Sequence, residues 1–262
     1  MSPPWAQVAE LVDALASGAS ARKGVEVRVF SWAPNTLCEI AIGGFKLIEK
    51  YSLGRLWRIM SISLHKGDLP DTVTFTGSVA VDSETLGLQI TRDKLCLVQL
   101  SSGDGTAHIV QLNRGLYNAP NLRALMADTS VVKIFHYARF DVAVMQQYLG
   151  VVTTPIYCTK IASKLVRTYT DRHGLKDLCR ELAGVELSKQ QQSSDWGADK
   201  LSDAQLTYAA SDVLHLHKLK SVLDDMLTRE GRMEYAKACF AFLPVRASLD
   251  LAGWDDQDIF SH

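Results

Sequence analysis

From residue 60 onward, apolar runs of strand length alternate with stretches in which apolar residues recur every three or four positions, the pattern of an α/β domain. TGSVAVDSE, KLCLVQLSS and TAHIVQL are short and flanked by turn residues. They predict three strands in an antiparallel meander, the last two joined by a turn at Gly103-Asp104-Gly105. NLRALMAD reads as a helix, VVKIFH as a strand that returns parallel beside the first, and ARFDVAVMQQYLG as a helix ended by Gly150. Further helices are predicted at 157–168, 174–183, 202–229 and 231–242, which makes the C-terminal half mostly helical. Ser202 is a suitable N-cap for the helix at 202–229, and Gln205 three residues later completes a capping-box pattern.

Two polar intrusions break this apolar pattern. Asp82 and Glu84 lie two apart in VAVDSETLG, so both project from one face of the predicted strand. Neighbouring buried acids are costly unless a cation compensates them. Tyr208 and Asp212, four apart in LSDAQLTYAASDVLHLHKL, share one face of a helix, and Asp141 falls in the first turns of the helix that follows VVKIFH. D-x-E or Y-x-x-x-D alone carries little weight, since solvated acid pairs are common. Together the four carboxylates and the tyrosine read as a metal site, with Asp141 and Asp212 completing the cage for the divalent ions that Asp82 and Glu84 call for. Carboxylates without histidine or cysteine suit Mg²⁺ or Mn²⁺. His215 and His217, two apart on a helix, point in different directions and do not pair as ligands.

The chain has 262 residues, 47% of them hydrophobic, enough for one sizeable core. Its formal net charge of −1 offers no strong overall attraction to a polyanion. Any nucleic acid must therefore be held by a local groove and by metal. Five cysteines (Cys38, Cys96, Cys158, Cys179 and Cys239) lack paired or metal-type spacing, which fits a reducing, cytoplasmic setting. LCEIAIGGFKLI is interrupted by Glu39 and Lys46 and is too short to span a bilayer. No membrane association is expected.

The segment from about 60 to 230 resembles the ribonuclease D branch of the DEDD 3′-5′ exonucleases. Asp82-Ser83-Glu84 matches the first motif, Asp141 the second, and Tyr208 with Asp212 the third, in the family's order. SSDWGADKLSDAQLTYAASDVLHLHKL is similar to ribonuclease D sequences well beyond those positions. The sister branch has histidine five residues before the last aspartate; here Thr207 stands there, so the resemblance is to the tyrosine type. It implies a ribonuclease H-like mixed five-stranded sheet flanked by helices, with a helical C-terminal part. It also implies a two-metal mechanism releasing nucleoside 5′-monophosphates from RNA 3′ ends. In that mechanism Asp82 bridges both ions, Glu84 and Asp212 complete the first site, Asp141 holds the second directly or through water, and Tyr208 positions the attacking water.

The expected partner is single-stranded RNA, with a DNA exonuclease as the alternative and a noncatalytic nucleic-acid-binding module as a third reading. The oligomeric state is left open. For substrate contacts, Leu86 and Phe140 fall where the family places apolar residues against terminal bases, and both also suit a core. His136 and Tyr137 lie beside Asp141, either touching the terminal sugar or phosphate or serving structure. Lys160, Lys164 and Arg167 recur at helical spacing, as a phosphate-tracking stripe or a solvated face. Trp196 is either a base-stacking platform or an anchor for a polar loop. Full-length relatives often carry helical nucleic-acid-binding domains after the exonuclease. Only about fifty residues follow Asp212 here, too few for one of those as well as the terminal helices.

Residues 6–34 resemble a transfer-RNA gene read as protein. Trp32-Ala33-Pro34 can be written TGG-GCA-CCA, ending in a CCA tail, and Val27-Arg28-Val29 can be written GTT-CGA-GTC, a T-loop word. Ala6-Gln7-Val8 can open with the complement of the sequence that precedes that tail, closing an acceptor stem. The expected organisation is therefore a spurious or disordered extension over 1–59 and an exonuclease domain over 60–262, with translation starting at or near Met60. The alternative is an amphipathic helix at VAELVDALA. Peptide mapping of the native protein is expected to find an N-terminus at or near Met60, and initiation at Met1 would contradict this reading.

Overall fold

The computed structural model describes residues 25–32, 35–42, 45–51, 60–188, 190–191 and 193–261. The chain divides into two compact units, Met1–Ser61 and Ile62–His262. In the first, strands β1 (Val25–Trp32), β2 (Asn35–Ile42) and β3 (Phe45–Tyr51) pair antiparallel in sequence order. The helical alternative for the start falls on residues outside those described.

From Met60 on, six strands form a mixed sheet in the order β4 (Met60–Lys66), β7 (Thr106–Gln111), β6 (Leu95–Ser101), β5 (Ser78–Thr85), β8 (Val132–Phe135) and β9 (Ile156–Cys158). The meander β5–β6–β7 is antiparallel and β8 returns parallel to β5, as the pattern of apolar runs predicts. The sheet has six strands rather than five, and β9 lies at the start of a predicted helix. Ile156, Tyr157 and Cys158 are all buried and pair in parallel with Lys133, Ile134 and Phe135. That pairing overrides local periodicity and delays the helix, α3, to Thr159–Val166.

Helix α1 (Pro120–Ala127) connects β7 to β8. Helix α2 (Ala138–Val144) continues through a π-helical turn at Met145–Leu149 and ends at Gly150, whose φ of 63° is open to glycine at little cost. The short helix α4 (Leu175–Leu178) is likewise extended by a π-helical turn, at Cys179–Ala183. The predicted helix at 202–229 is two helices, α5 (Asp203–Leu214) and α6 (Leu216–Arg229), parted at His215. The break lets α6 bury Leu216, Leu219, Leu223 and Leu227 as its own stripe. Burial of each of these leucines contributes roughly 2 kcal/mol. Helix α7 (Met233–Leu249) runs past Pro244 and beyond the predicted end. Among the described residues, no helix is long and apolar enough to cross a membrane.

Two features of this scaffold fix what surrounds the acids. Ser202 and Gln205 form the full capping box, the Ser202 hydroxyl accepting from the Gln205 backbone N–H and the Gln205 side chain accepting from the Ser202 N–H. This sets where α5 begins, and hence the phase of Tyr208 and Asp212. At the other end, buried Asp250 accepts two hydrogen bonds from Arg139, at 2.7 and 2.8 Å, and another from Arg246 Nε at 2.9 Å. The C-terminal helix is thereby tied to α2, two residues before Asp141. A buried carboxylate between two guanidiniums is compensated, whereas removal of one partner would leave it costly.

Candidate active site

Strand β5 delivers Asp82 and Glu84 to one face, over which α5 packs. One ligand oxygen from each of Asp82, Glu84 and Asp212 lies within 4.8 Å of the other two. The three acids line a cleft of about 710 Å³ together with Leu86, Leu88, His136, Phe140, Lys176, Trp196 and Tyr208. The strand alternation and the four-residue helical spacing thus converge as expected. Asp141 is buried, and its Oδ1 accepts a 2.6 Å hydrogen bond from the Ser83 hydroxyl. It stands near enough to Asp82 for the two charges to repel.

Burial is the largest influence on all four acids, and repulsion from neighbouring acids adds to it at Glu84, Asp141 and Asp212. Asp82 is pushed up to about 7 and Asp212 to about 8. Glu84 is raised strongly by burial and then by Asp82, Asp212 and Asp141, and Asp141 is raised by burial and Asp82. Close-set carboxylates that resist ionisation lack a positive partner. Their oxygen-only donor set suits Mg²⁺ or Mn²⁺, which favour hard ligands.

Tyr208 is also raised well above the usual phenol range by burial and by Asp212, so it faces the cleft as a neutral hydrogen-bond donor. Trp196 packs against it, with ring centroids 5.9 Å apart. At 3% exposure Trp196 is an anchor rather than an open stacking platform. Its loop is fixed by donors to backbone carbonyls: Gln205 to Asp195 at 3.0 Å, Arg114 to Gly197 at 2.5 Å and Gln111 to Ala198 at 2.9 Å. Gly197 permits this fit, since a Cβ there would come within 2.7 Å of Leu86 Cδ2.

The predicted substrate contacts divide. Leu86 is 47% exposed in the cleft and cannot be a core residue, while Phe140 is half-buried in the cleft wall. His136 lines the cleft through a neutral ring, which burial holds far below its usual range, to about 3, and which hydrogen-bonds Thr159 at 2.9 Å. Tyr137 and Lys160 lie elsewhere. The Lys160 ammonium sits 4.0 Å from the Tyr137 ring centroid, and both line a separate cavity of about 270 Å³ with Lys164. Arg167 leaves the predicted basic stripe altogether: it is fully buried, paired with Glu181, and donates to the Arg172 carbonyl at 2.7 Å. Among residues not anticipated, Ser83 is signalled by its place between the two strand acids and Leu88 by its apolar repeat with Leu86. Lys176 carries no local signal, since only the tertiary fold brings its short helix to the cleft.

Residues 68–228 match the model of the 3′-5′ exonuclease domain. The chain belongs to the 3′-5′ exonuclease family. Among solved structures similar to the chain, Brucella melitensis NrnC with bound Mg²⁺ is 56% identical, with a TM-score of 0.74, covering 78% of this chain and 100% of that one. The same protein bound to pGG is 56% identical, with a TM-score of 0.75, covering 78% of this chain and 99% of that one. Ribonuclease D of Gluconacetobacter diazotrophicus is 35% identical over 165 residues, covering 63% of this chain and 42% of the relative. The chain thus spans less than half the length of that curated relative.

Because these carboxyls keep their protons to higher pH when folded than when unfolded, the folded state binds more protons. Stability of the metal-free protein therefore falls as pH rises from the ordinary carboxylate range through about 7 and 8, for Asp82 and Asp212, to about 10, for Glu84. Thermal melting in chelator is expected to show this fall, and Mg²⁺ to reverse much of it at neutral pH. Asp82→Asn is expected to raise the melting temperature without metal and to lose the Mg²⁺ response. An Asp82→Asn protein that Mg²⁺ stabilises like the parent would count against Asp82 as a ligand.

Proposed function

We propose that residues 60–262 act as a metal-dependent 3′-5′ exoribonuclease of ribonuclease D type, releasing nucleoside 5′-monophosphates from single-stranded RNA. The observation that carries this reading is the meeting of Asp82, Glu84 and Asp212 within 4.8 Å in a cleft whose rim exposes Leu86 and Leu88. The cleft combines a hard-cation site with an apolar edge for bases. Support also comes from the NrnC relative, solved with Mg²⁺ and with pGG, which favours short single-stranded RNA as substrate.

Asp82, Glu84 and Asp212 would hold one divalent ion, and Asp82 with Asp141 a second. Such a pair, when bound, acidifies the attacking water and stabilises the oxyanion and the departing alkoxide. The residues themselves supply position. Tyr208, neutral and braced by Trp196, donates a hydrogen bond that orients the water's lone pair toward phosphorus. Ser83 holds Asp141 in place through its hydroxyl. Leu86 and Phe140 pack the terminal bases, and His136, neutral at physiological pH, contacts the terminal sugar. Cys96, Cys158, Cys179 and Cys239 are free thiols, in keeping with work in the reducing cytoplasm.

Matched RNA and DNA oligonucleotides, incubated with Mg²⁺, Mn²⁺ or chelator, test this assignment. RNA is expected to shorten stepwise from its 3′ end, only with metal. Asp82→Ala and Asp212→Ala should abolish turnover, and Tyr208→Phe should lower kcat by roughly 10² or more while metal binding persists. Preference for DNA would overturn the substrate assignment. Absence of metal-dependent cleavage of either polymer would make the chain a noncatalytic binding module.

A further inference from the structure

Strand β6 lies at the centre of the meander, and every residue from Leu95 to Ser101 is buried. Within this run Gln99 is the anomaly. It is fully buried, and neither its amide nitrogen nor its amide oxygen has a hydrogen-bond partner. Leaving a buried polar atom unpaired is destabilising, so a methionine or leucine of similar volume would make the more stable sheet. Register gives the position a meaning. Gln99 stands directly opposite Asp82 on the neighbouring strand, with Ile109 on its other side. Side chains of directly opposed antiparallel residues share a face, with Cβ atoms about 5 Å apart, a gap that a glutamine spans. That face is roofed by α5, the helix that carries Tyr208 and Asp212.

We propose that Gln99 is the positioning residue of Asp82: its amide nitrogen donates to the Asp82 carboxylate once that carboxylate is engaged by a divalent cation, fixing the oxygen that faces the metal. The proposal rests on Asp82 being a metal ligand, as the proposed function holds. The chemistry is that of outer-shell groups in metal sites generally, where a hydrogen bond to a ligating carboxylate sets its orientation, and where loss of such a partner typically weakens metal binding by 10–100-fold. The Asp82 carboxylate accepts from the Ser83 backbone N–H. A donor from Gln99 would approach from the adjacent strand and so constrain rotation of the carboxyl group, which one bond leaves free.

Gln99→Met separates this role from a purely structural one. Melted in chelator, the variant is expected to be at least as stable as the parent, because an orphaned amide has been replaced by an apolar group of similar length. Titrated with Mn²⁺ by calorimetry, it is expected to bind about 10-fold or more weakly. Mn²⁺ affinity within twofold of the parent would overturn the proposal. Should the variant fail to fold, a crystal structure of the parent with Mn²⁺ decides the matter: the Gln99 nitrogen within about 3.2 Å of an Asp82 oxygen supports the role, and an amide bonded elsewhere or still unpaired overturns it. Asp82→Asn, titrated alongside, distinguishes the two levels. If Asp82→Asn also keeps the parent's affinity, the metal-site assignment itself falls; if it loses affinity while Gln99→Met does not, only the positioning role falls.

Discussion

Burial of close-set carboxylates that the fold does not allow to separate is the constraint on which the rest of the structure depends. Asp82 and Glu84 are fixed to one face by strand alternation, and Asp212 is brought over them by a helix whose first residue is set by a capping box. Asp141, from the helix after β8, is held by Ser83, the residue between the other two. Each acid is pinned by backbone geometry, so the cluster cannot relax by rotating a strand or sliding a helix without unmaking a buried sheet. Burial makes these carboxyls cling to protons near neutral pH, and at Asp212 the charge of Asp82 adds to it. Such an arrangement works against stability in the metal-free chain and becomes favourable when cations share the charge.

The surrounding structure serves that constraint. Buried leucines on α6, and the Arg139–Asp250–Arg246 group that links the C-terminal helix to α2, supply rigidity on the flanks. The Trp196 loop, fixed through its carbonyls, braces Tyr208 against the cleft. Gln99 belongs to the same logic: a polar atom pair retained in the driest strand, opposite the central acid. Its cost is local, and its register places it where alignment of a ligand matters most.

Much of this was legible in the chain because the relevant physics is local. The two-residue spacing of Asp82 and Glu84, the four-residue spacing of Tyr208 and Asp212, and the Ser202–Gln205 cap each follow from the geometry of one element. Features that depend on tertiary pairing were not. Ile156–Cys158 reads as the start of a helix until β8 offers it a parallel partner. The separation of α5 from α6 at His215 follows from how the leucine stripe meets the core, which no window of sequence contains. Arg167 has the spacing of a surface stripe, yet Glu181 and the Arg172 carbonyl draw it inside, and Lys160 turns to Tyr137 rather than to the cleft. Charge patterning reveals a face without saying what covers it.

Anomalous diffraction from crystals equilibrated with Mn²⁺ tests the central account most directly. Two peaks roughly 4 Å apart are expected, one bounded by Asp82, Glu84 and Asp212 and the other shared by Asp82 and Asp141. Manganese located elsewhere, or four acids left without a cation at saturating Mn²⁺, would contradict it.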